Sequence, residues 1–156
     1  MALIAALTSN VLAAADKSLR IVTRADQSCN HIGGYLTIVS CKDGRVFVCV
    51  EVGCCPKSKA GKRMALSIRN AKALFKNPEC KSSWEIRSIK KHISQGAVVA
   101  DDLIVSFAGV SGPEDEAIAL SISRISNWLY MKDARRIARA SRNRIYLKMA
   151  DPCQQH

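Results

Sequence analysis

Apolar residues recur every three to four positions near the start of the chain, which is the spacing of one face of an α-helix. The spacing covers residues 8–25, where Thr8, Ser9 or Asn10 could serve as the N-cap. The apolar positions that carry the pattern are Val11, Leu12, Ala15, Leu19 and Val22. We therefore predict an N-terminal helix over 8–25, followed by a loop that ends at Gly33-Gly34.

The pattern then changes to stretches rich in β-branched and aromatic residues, which predict two β-hairpins. The first hairpin joins residues 35–40 to 45–52 through Asp43-Gly44, a dipeptide that tolerates the positive φ angles of a tight turn. Its nearly continuous apolar composition indicates central strands with helices on at least one face. The second hairpin joins 97–100 to 103–108 through Asp101-Asp102.

Three further helices are predicted from the remaining apolar spacing. The first follows a loop over 53–61, covers 62–76 and is ended by Asn77-Pro78; its apolar stripe is Met64, Ile68, Ala71 and Phe75. The second runs from a Ser82-Ser83 cap to Gln95-Gly96, with an apolar side made of Trp84, Ile86, Ile89 and Ile93. The third begins near Pro113 and carries Ile118, Ile122, Ile125, Trp128 and Leu129.

This order of elements predicts an α+β fold, because hairpins without βαβ alternation make an antiparallel sheet. We expect one layer of sheet with the N- and C-terminal helices packed on it. The length of 156 residues and the apolar content of 48% suit one domain over 1–130, with a basic C-terminal helix or tail over 131–156. No apolar run approaches the roughly 18 residues that a membrane span requires.

The formal charge of +11 raises the possibility of a nucleic-acid partner. Basic residues form one cluster at Lys57, Lys59, Lys62 and Arg63, and a second cluster after residue 131. The second cluster contains Lys132, Arg135, Arg136, Arg139, Arg142, Arg144 and Lys148. Such a segment could bind a phosphate backbone or an acidic membrane surface, or it could be the solvated face of a helix.

The seven cysteines do not form a recognisable framework. Their number is odd, their spacing is irregular, and the sequence contains no C-x-x-C pair of a zinc ribbon or redox motif. We therefore expect reduced thiols and a cytoplasmic location.

The segment 109–119 turns a strand into a helix. Pro113 suits the first helical position, and Glu114, Asp115 and Glu116 suit the positive end of the helix dipole, where such acids are commonly solvated. Gly109 and Gly112 allow a tight turn, and Ser111 lies between them. The alternative is that the glycines leave room for a ligand and that the close carboxylates bind a metal ion or act as acid and base.

The residues Phe107-Ala108-Gly109-Val110-Ser111-Gly112, with the following 113–119, resemble the C-terminal signature of the GlcG/HbpS family. This is the heme-binding or heme-degrading domain also found at the C-terminus of PduO-type proteins. The resemblance covers about 8–126, because the order of helix, hairpin, helix, hairpin and turn also agrees. It implies a ligand-binding domain for heme or a corrinoid, together with oligomerisation through exposed helices.

A bound heme would need an axial ligand, and the possible donors are His31, His92, Cys29 and Cys55. Cys55-Pro56 is a Cys-Pro dipeptide in a predicted loop, although it could equally be an ordinary loop pair. His31 could be a loop histidine bonded to the backbone. The sequence contains no G-x-S-x-G, H-E-x-x-H or phosphate-loop motif, so we assign no catalytic residue.

The resulting hypothesis is a small binding domain with a heme or corrinoid site that includes His31, Cys55, Gly109, Ser111, Gly112 and Glu114. The alternative is a nucleic-acid-binding protein that uses Lys57, Lys59, Lys62 and Arg63 with Arg135, Arg136, Arg139 and Arg142. An interaction domain without a small ligand is the third possibility. The sequence does not identify a metal site.

Overall fold

A four-stranded antiparallel sheet forms the centre of the protein, as shown by a computed structural model that describes residues 2–25 and 33–150. The strands lie in the order β2-β1-β4-β3. In chain order the elements are α1 (Ala2–Ala25), β1 (Gly33–Ser40), β2 (Val46–Gly53), α2 (Lys57–Phe75), β3 (Ala97–Ala100), β4 (Leu103–Ala108), α3 (Gly112–Ile125), α4 (Met131–Ala140) and α5 (Arg144–Ala150). The α+β prediction and both hairpins are confirmed.

Helices cover both faces of the sheet. Alternate residues of each strand point to opposite sides, so each strand contributes side chains to both faces. Leu36 of β1 lies opposite Phe107 of β4, and this face packs against α1, α3, α4 and α5 in the larger core cluster. Val39 and Ile104 belong to the other face, where they pack against Ala71 and Leu74 of α2 in a smaller cluster.

The N-terminal helix packs as its apolar spacing predicts. Val11, Ala15, Leu19 and Val22 are buried, and Leu12 packs against the same core cluster while partly exposed. The described part of this helix begins at Ala2, six residues earlier than expected.

The prediction that both strands of the first hairpin are central is wrong for β2. β1 is central and buried, but β2 is an edge strand, and Phe47 is 50% exposed. The two strands have similar apolar content, so composition alone could not distinguish them. Their difference arises because β4 pairs with β1.

Helix α2 begins at Lys57 rather than at 62, so the predicted loop is shorter and Gly61 lies within the helix. The face that contacts the sheet is formed by Ser67, Asn70, Ala71 and Leu74. Met64, which was expected on the buried stripe, is exposed. The stripe is rotated because Ser67 is buried through hydrogen bonds: its Oγ lies 2.9 Å from Thr37 Oγ1 and 3.1 Å from the Ser106 carbonyl oxygen.

The prediction of a helix between Ser82 and Gly96 is wrong, because these residues form successive turns. Ser82 Oγ accepts the Trp84 N–H at 3.1 Å, and Ser83 Oγ donates to the Ser94 carbonyl at 2.7 Å. These serines bond to nearby backbone groups and so compete with helical hydrogen bonding. Ile89, assigned to the apolar side, is 96% exposed.

The C-terminal part of the described chain contributes to the larger core cluster. Helix α3 ends at Ile125, so Trp128 and Leu129 lie beyond it, contrary to prediction; their N–H groups bond instead to the Ser123 carbonyl. Within the segment 131–156, α4 and α5 are joined by residues 141–143, and Ile137 and Tyr146 are buried in this core. None of the described helices is long and apolar enough to span a membrane.

Candidate functional site

The three acids at the start of α3 are buried, so the expectation that they face solvent is wrong. Glu114, Asp115 and Glu116 are 9%, 4% and 0% exposed. Carboxylates are rarely buried without hydrogen-bond or ionic partners, because burial penalises the charged form. Buried acids therefore need such partners within the protein, and this makes the start of α3 a candidate site.

Asp115 connects the start of α3 to the end of β4. Its Oδ1 accepts the N–H groups of Gly109 at 3.0 Å and Val110 at 2.9 Å. Burial raises the pKa of Asp115 to about 8, while the two N–H donors act in the opposite direction. A protonated Asp115 retains both bonds, since one oxygen accepts them and the other can carry the proton.

Glu116 connects α3 to the junction between α4 and α5. The Ser141 hydroxyl donates to Glu116 Oε1 at 2.7 Å, and the Gln95 side-chain amide donates to Oε2. Burial raises the pKa of Glu116 to about 7, with these hydrogen bonds and that of Asn143 opposing the rise. Asn143 also donates to the Pro113 carbonyl at 2.8 Å. The polar network therefore holds the C-terminal helices against α3.

Glycines mark the end of the sheet where β1 begins and β2 and β4 end, and we call this region the glycine end. A Cβ at Gly34 would lie 2.3 Å from the Ala108 carbonyl oxygen, and one at Gly109 would lie 2.6 Å from that of Gly33. Gly109 therefore permits close packing of backbone on backbone. A Cβ at Gly112 would lie 3.1 Å from Gln95 Cβ.

Ser111 is the N-cap residue of α3. Its carbonyl accepts the Asp115 N–H at 2.8 Å, while its side chain is exposed and makes no capping hydrogen bond.

Cys55 also lies at the glycine end, next to Pro56, which is the N-cap of α2. Its backbone N–H bonds to Glu51 Oε1 at 3.0 Å, and its sulfur lies 3.5 Å from Arg63 Nη1. The same Arg63 nitrogen donates to the Gly33 carbonyl at 3.0 Å. Arg63 also acts to lower the pKa of Asp115, so its positive charge links the cysteine to the acids.

The first turns of α2 place further positive charge beside Cys55. Lys57, Lys59 and Lys62 are exposed, and the first turn contains no acidic residue. The N-terminus of a helix carries a partial positive charge of its own. The start of α2 therefore favours an anionic group.

The arginines predicted as a C-terminal nucleic-acid surface have different environments. Arg135 donates to the Ala150 carbonyl at 3.0 Å, and Arg136 pairs with Asp133 at 3.1 Å. Arg139 and Arg142 are exposed.

The remaining donors considered for a metal or heme are Cys29, His31 and His92. His31 and Cys29 lie outside the described residues, and His92 is exposed in a turn. The described cysteines, Cys41, Cys49, Cys54, Cys55 and Cys80, are free thiols. Among the described residues, no group of three or more His, Cys, Asp or Glu side chains could hold a metal ion.

Sequence reasoning did not assign Gln95, Ser141 or Asn143 to the site, because their contacts with α3 join distant parts of the chain. The apolar run that follows Glu116 was the one local signal for its burial. Comparison with protein-family models, curated proteins and solved structures finds no significant match to the chain.

Proposed function

We propose that the protein is a small-ligand-binding domain whose site lies at the glycine end, with heme or a corrinoid as the ligand class. The observation that supports this proposal is the meeting of the Cys55 sulfur, the Arg63 guanidinium and the basic start of α2. The resemblance of residues 107–119 to the GlcG/HbpS signature supports the choice of a tetrapyrrole.

The residues around Cys55 suit the chemistry of heme. A cysteine thiolate is an established axial ligand of heme iron, and lysine and arginine side chains pair with carboxylates such as the heme propionates. Cys55 is 7% exposed and its sulfur contacts Arg63. Ligation would require Arg63 to turn outward, where its guanidinium could pair with a propionate beside Lys59 and Lys62.

Titration of the purified protein with hemin tests this function directly. We expect a saturable Soret band at micromolar hemin, and we expect Cys55→Ser to shift the band and weaken binding. Cys54→Ser is the matched control, because Cys54 is the exposed neighbour of Cys55. Absence of saturable binding, or identical spectra for the two variants, would reject Cys55 as the ligand.

Oligomerisation remains a prediction that accompanies this proposal. Sedimentation velocity with and without hemin would measure it, and a monomer under both conditions would contradict it.

A second candidate function is nucleic-acid binding, which the composition of α2 supports. The helix contains six basic residues and no acidic residue. Lys62, Arg69 and Lys72 lie along its exposed side, and Lys76 follows at the C-cap. A line of positive charge on one helix face suits contact with a phosphate backbone.

Fluorescence anisotropy with a labelled single-stranded oligonucleotide at 50 and 200 mM salt would test this alternative. Affinity should fall at least tenfold between the two salt concentrations, and Arg69→Glu should weaken binding further. Arg139→Glu tests the C-terminal cluster without deleting α4 and α5, which contribute to the core. Binding that does not respond to salt or to either reversal would exclude the electrostatic surface.

A further inference from the structure

A separate apolar groove lies on the other side of the sheet from α2, between α1, α3 and the C-terminal helices. Its volume is about 260 Å³. The lining includes Ile21, Ile125, Met131, Met149 and Ala150, all of which are partly or largely exposed. Such a surface suits the hydrocarbon portion of a ligand.

One cation, Arg124, lies in the wall of this groove. Its Nη1 donates to the Leu129 carbonyl at 3.1 Å, and its buried Nε–H has no hydrogen-bond partner among the described residues. No carboxylate of residues 2–25 or 33–150 forms a salt bridge with Arg124. A half-buried guanidinium with an unused donor is unfavourable unless an anion or another acceptor approaches it.

Tyr146 supplies a second donor in the same groove. Its hydroxyl is 4.0 Å from the Met131 sulfur, which is a weak acceptor, and it also interacts with the Arg124 side chain. Burial raises the pKa of Tyr146, so the hydroxyl retains its proton. Two neighbouring donors next to an apolar groove would both be satisfied by one carboxylate.

We propose that this groove binds a small amphiphilic carboxylate, with its anionic group on Arg124 and Tyr146 and its hydrocarbon chain along the methionine and isoleucine side chains. Since a water-sized group occupies roughly 30 Å³, the groove of about 260 Å³ suits a ligand of about nine non-hydrogen atoms. Octanoate carries one negative charge and is close to this size. The proposal does not depend on the heme site, which lies at the glycine end.

Isothermal titration calorimetry with octanoate, 1-octanol and octylammonium would test the groove. We expect saturable octanoate binding with Kd below about 1 mM, and at least tenfold weaker binding of the neutral and cationic analogues. Arg124→Met and Tyr146→Phe should each weaken octanoate binding, the former by about tenfold or more. Arg136→Met is the matched control, because Arg136 is exposed and pairs with Asp133 outside the groove.

Circular dichroism would verify that each variant is folded, and Tyr146→Phe removes a single hydroxyl if Arg124→Met proves unstable. Equal binding of octanoate and 1-octanol would overturn the proposal. Unchanged affinity in Tyr146→Phe and folded Arg124→Met, or no saturable binding, would do so as well. Hemin binding should be the same in Arg124→Met and wild type, so failure of the heme proposal and failure of this one are distinguishable.

Discussion

Replacing Glu116 by Gln should make the protein more stable in mildly alkaline solution. The Glu116 carboxyl is fully buried, and burial raises its pKa from the ordinary 4.5 to about 7. In the unfolded chain this acid ionises near its ordinary pKa, whereas in the folded protein it retains its proton until the pH is near 7. Wild-type stability from this group is therefore complete below pH 4.5 and is lost as the pH rises through 7.

The magnitude follows from the difference between the two pKa values. One pKa unit corresponds to about 1.4 kcal/mol, so a rise from 4.5 to about 7 corresponds to about 3 kcal/mol of unfolding free energy. Glutamine is uncharged at every pH, and its amide can accept one hydrogen bond and donate another to Ser141 or Gln95. The variant should match wild type near pH 4 and exceed it by about 3 kcal/mol at pH 8.5.

Urea denaturation at several pH values between 4 and 8.5 would measure this difference. For a chain of this length it corresponds to a rise in Tm of roughly 6–12 °C at the alkaline end. Asp102→Asn is the control, since Asp102 is an exposed carboxylate in the β3–β4 turn. A parallel pH profile for Glu116→Gln and wild type would refute the link between burial and ionisation.

Three other substitutions test features of the same structure. Ionisation of the buried Asp115 should lower the stability of the wild type further as the pH rises to about 8. Asp115→Asn should remove this loss, as measured by thermal unfolding against pH. Gly34→Ala should destabilise the protein by about 1–3 kcal/mol, because its Cβ would lie 2.3 Å from the Ala108 carbonyl oxygen. Ser67→Ala should cost about 1–3 kcal/mol in urea denaturation, because the hydroxyl bonds to both β1 and β4.

Each of these substitutions has its own contradicting result. If Asp115→Asn loses stability with rising pH as steeply as wild type does, then burial does not raise the pKa of Asp115. Gly61→Ala is the control for Gly34→Ala. Apart from its chain neighbours and the backbone of its own helix, no atom of the described residues lies within 4 Å of the new Cβ, so this change should stabilise the helix by up to about 1 kcal/mol. Equal effects at the two glycines would contradict the backbone contact. If Ser67→Ala leaves the free energy of unfolding unchanged, the hydrogen bonds of Ser67 contribute little to stability.

Local patterns predicted much of the fold because the signals for it are short-range. The second hairpin follows from the β-branched residues around Asp101-Asp102, and its strands have the predicted bounds. The beginning of α3 follows from Pro113 and the adjacent acids. The periodicity of residues 11–22 likewise identified the buried face of α1.

The remaining features depend on contacts between distant residues. The apolar spacing from Trp84 to Ile93 matches a helix, but Ser83 binds to Ser94 and Ala97 and keeps the segment in turns. The burial of Glu116 depends on Ser141, which comes 25 residues later. At the candidate site, the Cys-Pro dipeptide was visible in the sequence, whereas the contact of Cys55 with Arg63 was not.

The pairing of β1 with β4 has a consequence for the order of folding. Tyr35 lies opposite Ala108, so this pairing closes a loop that includes α2 and the turns after it. Each hairpin has a short turn and can form within microseconds, whereas long-range strand pairing is slower because of its entropic cost. We expect the joining of the two hairpins to limit the folding rate. During synthesis, the sheet would therefore remain divided until β4 has left the ribosome.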